Sequence, residues 1–360
     1  MSDREEPVRA TWAAHGTERP GTPETGGPTM AVSQVVPSAP AATTPSRAGE
    51  RRRRRGDGAL VPPARPTSYY GRPVIKPPPW EAYIPVYFFF GGLAGASAAL
   101  AAGARLAGNE PLERRAWAVS LGGVAVSPPL LIADLGRPER FLNMLRVFKV
   151  TSPMSVGSWI LAATGSAVGA AALSTLTGRV PWAARVAAGP AGALGTLLAT
   201  YTGGLLADTS VPAWLEARRE LPFVFGGSAM ASAGGAALIL TPAPHAEPAR
   251  RLLLTGATVE TVASRVMEHR LGALAEPYRT GRSGRLARAA LAATGTGAGL
   301  ALASGLVRRR AWRRPLAIAA GALTMAGSAL ERFAVFEAGV ASARDPAATI
   351  EPQRRRRDRS

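Results

Sequence analysis

Five short segments bring proton-exchanging and hydrogen-bonding side chains into a chain that is otherwise rich in alanine, leucine and glycine. They are Trp80-Glu81, Asp134–Phe141, Ser152–Ser155, Tyr201–Asp208 and Leu221–Phe225. The carboxyl groups of Asp134 and Glu81 can act as general acids or bases. Tyr201 and Asp208 are two helical turns apart and therefore share one face of a helix. A tyrosine buried in an apolar bundle also needs a hydrogen-bond partner.

These segments also have structural interpretations, which the sequence leaves open. Asp134 can pair with Arg137 in the following turn. Ser152-Pro153 has the composition of an ordinary helix start, with serine as the N-cap and proline in the first position. Tyr201 can be an aromatic residue at a membrane interface.

A second group of candidates is charged and falls inside apolar segments. Glu260 lies near the middle of one segment, in which Arg265 and Glu268 are one turn apart and can pair with each other. Glu331 and Arg332 lie inside the last apolar segment. Because a protonated glutamic acid is easier to bury than a carboxylate, Glu260 is a candidate proton carrier. A structural pair with an arginine of another helix explains it equally well.

The chain contains no cysteine and three histidines, His15, His245 and His269. Without cysteine it can form no disulfide, no thiolate iron–sulfur cluster and no cysteine zinc site. A heme between membrane helices needs facing histidines, and only His269 lies near a helix end. We therefore expect no heme, iron–sulfur cluster or metal site in this chain.

The formal net charge of +19 does not indicate nucleic-acid binding. Much of the charge lies in Arg51–Arg55, in Arg354–Arg357 and in loops between apolar segments. Charges that flank apolar segments orient membrane proteins and contact anionic lipid. We therefore expect a membrane-lipid partner and no nucleic acid.

The elements that position the candidate residues are apolar segments long enough to cross a bilayer, which takes about 20 residues each. Eight such segments are predicted: Tyr83–Ala107, Ala116–Ala133, Met154–Leu176, Ala184–Ala207, Phe223–Thr241, Ala249–Leu271, Leu286–Val307 and Leu316–Val340. The predicted fold class is an all-α polytopic membrane bundle. Its glycines at four-residue spacing, such as Gly91/Gly95 and Gly165/Gly169, favour close helix packing.

The sequence divides into three parts. Residues 1–76 are predicted to be a disordered arm rich in proline and arginine, residues 77–340 the membrane domain, and residues 341–360 a basic tail. An even number of spans places both termini, and all five polar segments, on one side. Because the loop cations are nearly balanced between the two sides, the arginine-rich ends decide the orientation, and they predict cytoplasmic termini of a multi-pass cell-membrane protein.

The ordered set of motifs resembles one membrane-protein family. The matching segments are Trp80…Tyr87–Gly95, Asp134–Pro138, Ser152–Ser155 with Gly157–Trp159, Tyr201–Leu206, and Pro212-x-Trp214. They resemble the polysulfide reductase membrane subunits, also called NrfD-like or PsrC-like, over roughly residues 77–340.

This resemblance implies an eight-helix, quinone-reactive subunit of a molybdopterin or iron–sulfur oxidoreductase, with no redox centre of its own. The implied cofactor is menaquinone or ubiquinone, bound between the first four helices. The implied partners are a ferredoxin-like iron–sulfur subunit and a catalytic, molybdopterin-containing subunit. By the same resemblance, Tyr201 is the pocket tyrosine, Asp134–Pro138 with Arg137 is the family's loop, and Trp80 and Glu81 loosely match the start of its first helix. Asp208 shares the face of Tyr201.

Two other functions remain open at this stage. A proton or solute transporter would use Glu260 and the charges of the last helix, although no inverted repeat is evident. A membrane scaffold without a pocket would only anchor soluble enzymes.

Overall fold

The computed structural model describes residues 73–357, apart from residues 136, 138 and 140, and gives residues 355 and 356 by their backbone alone. Nearly all of the predicted N-terminal arm, and the last three residues of the predicted tail, lie outside the described residues. In the part of the chain that is described, the secondary structure is helical and contains no strand. The all-α prediction is confirmed.

Eight long helices account for most of the described residues. They are α1 Tyr83–Leu106, α2 Glu110–Asp134, α3 Pro153–Thr177, α4 Pro181–Ala207, α5 Leu221–Leu240, α6 Glu247–Leu271, α7 Gly281–Leu306 and α8 Arg310–Arg344. Each coincides with a predicted span, although α2, α7 and α8 begin five or six residues earlier than predicted and α8 also ends later. Helices α1, α2, α3, α5 and α7 are long and apolar enough to cross a membrane. The chain is a polytopic membrane protein.

The remaining described helices are short. Between the long ones lie Phe141–Met144, Pro212–Glu216 and Glu276–Arg279, with 3-10 turns at Ala243–His245 and Gly272–Ala275. After α8, within the predicted tail, helix α9 covers Pro346–Arg357.

Local sequence signals explain where α3 begins and ends. The Ser152 hydroxyl accepts a hydrogen bond of 3.4 Å from the Ser155 N–H, and Pro153 occupies the first turn. This geometry confirms the N-cap interpretation of Ser152-Pro153. The helix ends at Gly178, whose φ of 71° lies in the left-handed region that favours glycine.

Helices α1 and α5 form the centre of the bundle. α1 packs against α2, α4 and α5, while α5 also packs against α6 and α8. Glycine allows these backbones to approach closely: a Cβ added to Gly227 of α5 would lie 2.9 Å from the carbonyl oxygen of Gly256 on α6. This packing brings the start of α1, the end of α2 and the end of α4 to one end of the bundle.

Candidate functional site

Two of the predicted residues meet where α1 begins and α2 ends. The backbone N–H of Glu81 donates a hydrogen bond of 3.0 Å to Oδ1 of Asp134. Asp134 is half-buried, whereas Glu81 is exposed. Among the ion pairs of the described residues, none joins Asp134 to Arg137, so the proposed pairing of these two residues is not formed. Asp134 instead connects two helices.

Trp80 extends the same site with an aromatic surface. Its ring stacks on that of Trp214, with centroids 5.9 Å apart and an interplanar angle of 22°. Trp214 is fully buried, and its Nε1–H donates a hydrogen bond of 2.8 Å to the carbonyl of Val335 on α8. The stack therefore ties the start of α1 to the short helix after α4 and to α8.

Tyr201 is half-buried on α4 and directed toward α3. Its hydroxyl donates a hydrogen bond to the carbonyl of Pro153, and its ring occupies the space beside Gly157 where any side chain would collide. Asp208, at the C-terminal end of α4, and the buried Tyr87 of α1 are both close enough to interact electrostatically with Tyr201. The phenol therefore lies between α1, α3 and the end of α4.

Two predicted residues lie at the exposed edge of this end. Arg137 and Asp208 are both exposed in the structure. An exposed arginine beside the half-buried Asp134 provides a positive charge that can meet a partner protein or an anionic group. We name this end of the bundle, defined by Trp80, Glu81, Asp134 and Tyr201, the polar end.

Glu260 on α6 belongs to a second cluster of charged side chains. Its carboxyl group is buried between α5, α6 and α8, within interaction range of Ser228, Glu331 and Arg332. The Glu260 Oε2 atom has no hydrogen-bond partner. Arg332 is fully buried, and its Nε and Nη1 atoms also lack partners. Glu260, Glu331 and Arg332 form a buried cluster that includes neither Asp134 nor Tyr201.

The predicted pairing of Arg265 with Glu268 is wrong. The Glu268 carboxylate instead lies 3.4 Å from the guanidinium of Arg279, in the short helix that follows α6. The cause is a tertiary contact, because the chain turns back after α6 and brings Arg279 against Glu268. Helical spacing alone had predicted Arg265 as the partner.

An apolar cavity of about 430 Å³ opens between α1, α4, α5 and α6. It reaches from Thr200 and Gly226 inside the bundle to Asn109 and Pro248 at the end opposite the polar end. None of the predicted site residues lines it. Thr200 does, but the next residue, Tyr201, is directed toward α3.

Sequence reasoning missed two side chains of the polar end. Tyr87 was part of a quoted motif but had no role, and the structure places it near Tyr201. Trp214 was likewise quoted without a role and forms the partner of Trp80. Both are aromatic residues in segments matched to the family, and that was the signal that could have identified them.

The described residues contain no group of three or more histidine, aspartate or glutamate side chains placed to hold a metal ion. No curated protein matches the chain. Residues 74–252, which include α1 to α5 and every residue of the polar end, match the family model described as polysulphide reductase, NrfD. Through this region, the chain belongs to the NrfD family of membrane proteins.

Proposed function

We propose that this chain binds quinone at its polar end and exchanges electrons between the membrane quinone pool and a peripheral iron–sulfur subunit. Members of the NrfD family are membrane subunits of multi-subunit oxidoreductases, which supports the general role. The observation that carries the specific proposal is the junction of Glu81 with Asp134, because it places a carboxyl group beside the Trp80–Trp214 stack.

The side chains of the polar end offer the functional groups that a quinone headgroup would need. Quinone oxygens accept hydrogen bonds, which the Tyr201 phenol can donate, and their reduction consumes protons, which a carboxyl group such as Asp134 can supply. Indole rings such as Trp80 offer a flat apolar surface to the ring. A bound quinone would supply the chemistry of a two-electron, two-proton carrier.

Tyr201 and Asp134 would have different roles, hydrogen bonding to the quinone and proton transfer. The Tyr201 hydroxyl already donates to the Pro153 carbonyl, so ligand binding requires this hydrogen bond to be exchanged for one to the ligand. Asp134 is held by the Glu81 N–H, which leaves its second carboxylate oxygen to carry a proton. Glu81, exposed beside it, can pass protons between Asp134 and the aqueous phase.

The electron-transfer partner must bring the redox centres that cysteine would ligate. This chain has no cysteine, so a ferredoxin-like subunit is the proposed donor or acceptor of the electrons. A molybdopterin subunit is the proposed catalytic partner. We place the docking surface at the polar end, where Arg137 is exposed. We also propose that the complex lies in the cell membrane with both termini of this chain in the cytoplasm.

The decisive experiment compares Tyr201→Phe with Tyr278→Phe in the assembled complex. The Tyr278 phenol is also buried but has no hydrogen-bond partner, and burial raises its pKa, so its removal controls for losing a tyrosine hydroxyl. A hydrogen bond that strengthens as charge develops on the quinone oxygen contributes about 1.5–3 kcal/mol. Tyr201→Phe should therefore lower quinone turnover by roughly one to two orders of magnitude, and Tyr278→Phe should not.

A third variant tests the apolar cavity as the quinone site. Ala99→Phe would fill part of that cavity without touching the polar end. Unchanged turnover in Ala99→Phe, together with loss in Tyr201→Phe, supports the polar end. The reverse pattern places the quinone in the cavity, and unchanged turnover in all three variants favours the scaffold function.

The buried cluster supports a second candidate function, proton transfer across the bundle. Intramembrane charges without complete hydrogen bonding are typical of proton paths. The supporting observation is the unpartnered Oε2 of Glu260 next to the incompletely bonded Arg332. Proton uptake by proteoliposomes containing the complex, measured for the parent chain and Glu260→Gln, tests it. Equal uptake by both would leave the cluster with a structural role only.

A further inference from the structure

A small polar pocket lies at the end of the bundle opposite the polar end. It has a volume of about 130 Å³ and is enclosed by the last residues of α5 and α7 and the first turns of α6 and α8. Its polar lining consists of Arg250, Arg313, Arg314, Thr241 and Ser304. The position, between helix ends, corresponds to the level at which lipid headgroups meet a membrane bundle.

Three arginines line this pocket, and among the described residues only one carboxylate, Glu247, forms an ion pair with any of them. Glu247 pairs with Arg250 and, at 3.1 Å, with Arg251 outside the pocket. Arg314 donates to the backbone carbonyls of α5, including a bond of 3.1 Å to Thr241, so its charge is held in place but not neutralised. The pocket therefore keeps an excess of positive charge.

Two buried polar atoms around the pocket have no partner. The Thr241 side chain is fully buried, and its hydroxyl makes no hydrogen bond. The Nε atom of Arg250 is likewise buried and unbonded, although its guanidinium contacts Glu247. Leaving such groups unpaired costs about 1–3 kcal/mol each. Donors of this kind around an excess of arginine are what a phosphate group would satisfy.

The surroundings of the pocket favour a lipid as the source of such a phosphate group. The pocket is too small for a whole phospholipid, and the helices that line it carry exposed apolar side chains along which acyl chains can lie. These side chains are Leu240, Leu302, Leu306, Trp312 and Ile318. A tryptophan at this level is typical of a membrane interface.

We propose that this pocket binds the phosphate group of an anionic phospholipid, with Arg250 and Arg313 as charged donors and Thr241 as a hydroxyl donor. Basic pockets between membrane helices bind such headgroups in this manner. The bound lipid would link the ends of α5, α6, α7 and α8 through one phosphate group.

The test measures thermal stabilisation of the delipidated full-length protein in detergent. The probes are phosphatidylglycerol, phosphatidylcholine with the same acyl chains, and inorganic phosphate. A ligand that binds only the folded state raises its stability in proportion to the logarithm of its concentration over Kd. We expect stabilisation by phosphatidylglycerol only. Equal stabilisation by phosphatidylcholine or by inorganic phosphate would overturn the proposal.

Variants assign the effect to the pocket. Thr241→Val keeps the shape and removes an unpartnered hydroxyl, so the lipid-free protein should be at least as stable as the parent. Arg313→Gln removes one charged donor. Each of these two substitutions should weaken phosphatidylglycerol binding roughly ten- to a hundredfold. Arg185→Gln is the matched control, because Arg185 is an exposed arginine near the same end of the bundle. Parent-like lipid binding by both pocket variants, or an equal loss in Arg185→Gln, would refute the site.

Discussion

The guanidinium group of Arg332 on α8 lies 3.9 Å from the centre of the Phe225 ring on α5. Its Nη2 atom also donates a hydrogen bond of 2.8 Å to the Phe225 carbonyl. None of the ion pairs between described residues joins Arg332 to Glu260 or Glu331, although both carboxyl groups interact with it electrostatically. An aromatic ring and a backbone carbonyl therefore hold this buried charge, and the nearby carboxyl groups balance it.

Replacing Arg332 by methionine should destabilise the bundle. The substitution leaves Glu260 and Glu331 buried without their cation, and breaking a buried charge interaction costs about 3–5 kcal/mol. Thermal unfolding in detergent measures the loss. Arg282→Met is the control, because it removes a largely exposed arginine that pairs with Glu337 at 3.1 Å and should cost at most about 1 kcal/mol.

A compensated variant separates charge from packing in this cluster. If charge imbalance is the cause, adding Glu260→Gln and Glu331→Gln to Arg332→Met should recover much of the lost stability. A triple variant no more stable than Arg332→Met would show that the contact with Phe225 matters more than the charges.

Two substitutions of Asp134 should distinguish its proposed role in proton transfer from its role in connecting α1 with α2. Asp134→Asn keeps an oxygen that can accept the hydrogen bond from the Glu81 N–H, so the protein should assemble normally while quinone-linked turnover falls. Asp134→Ala loses that bond as well and should cost roughly 1 kcal/mol of stability. Turnover by the assembled complex and thermal stability are measured for both. Parent-like turnover in Asp134→Asn would remove Asp134 from the proton path.

Gly195→Ala should destabilise the contact between α1 and α4. A Cβ at Gly195 would lie 2.5 Å from the carbonyl oxygen of Gly95 and 2.9 Å from Cβ of Ala98, so the helices must separate. Overpacking of this kind costs about 1–3 kcal/mol. Gly189→Ala on the same helix meets no atom within 4 Å and should be neutral or slightly stabilising. Equal unfolding temperatures for the two variants would contradict the close approach.

Reporter fusions test the proposed orientation. The arginine-rich ends predict that both termini are cytoplasmic, which would place the polar end and its partner subunit there too. A reporter fluorescent only in the cytoplasm should be active at either terminus, and one that requires export should be inactive. The opposite result would move the docking surface and the quinone site to the outer face of the membrane.

The amino-acid sequence alone was sufficient to predict the eight helices and their order. Apolar length is a local property, so a run such as Met154–Leu176 reports a membrane helix without reference to its neighbours. The start of α3 at Ser152-Pro153 was equally predictable, because an N-cap acts on the residues that directly follow it.

Only the tertiary structure decided which side chains meet. The Glu81–Asp134 bond joins residues on different helices, and Glu268 pairs with Arg279 rather than with Arg265. Such contacts depend on where loops turn back and on how helices cross, and close backbone approach at glycines contributes to the crossing. The pocket lined by Arg250 and Thr241 could not be predicted from the sequence for the same reason. Its lining comes from four helix ends that are far apart in the sequence and adjacent only in the folded bundle.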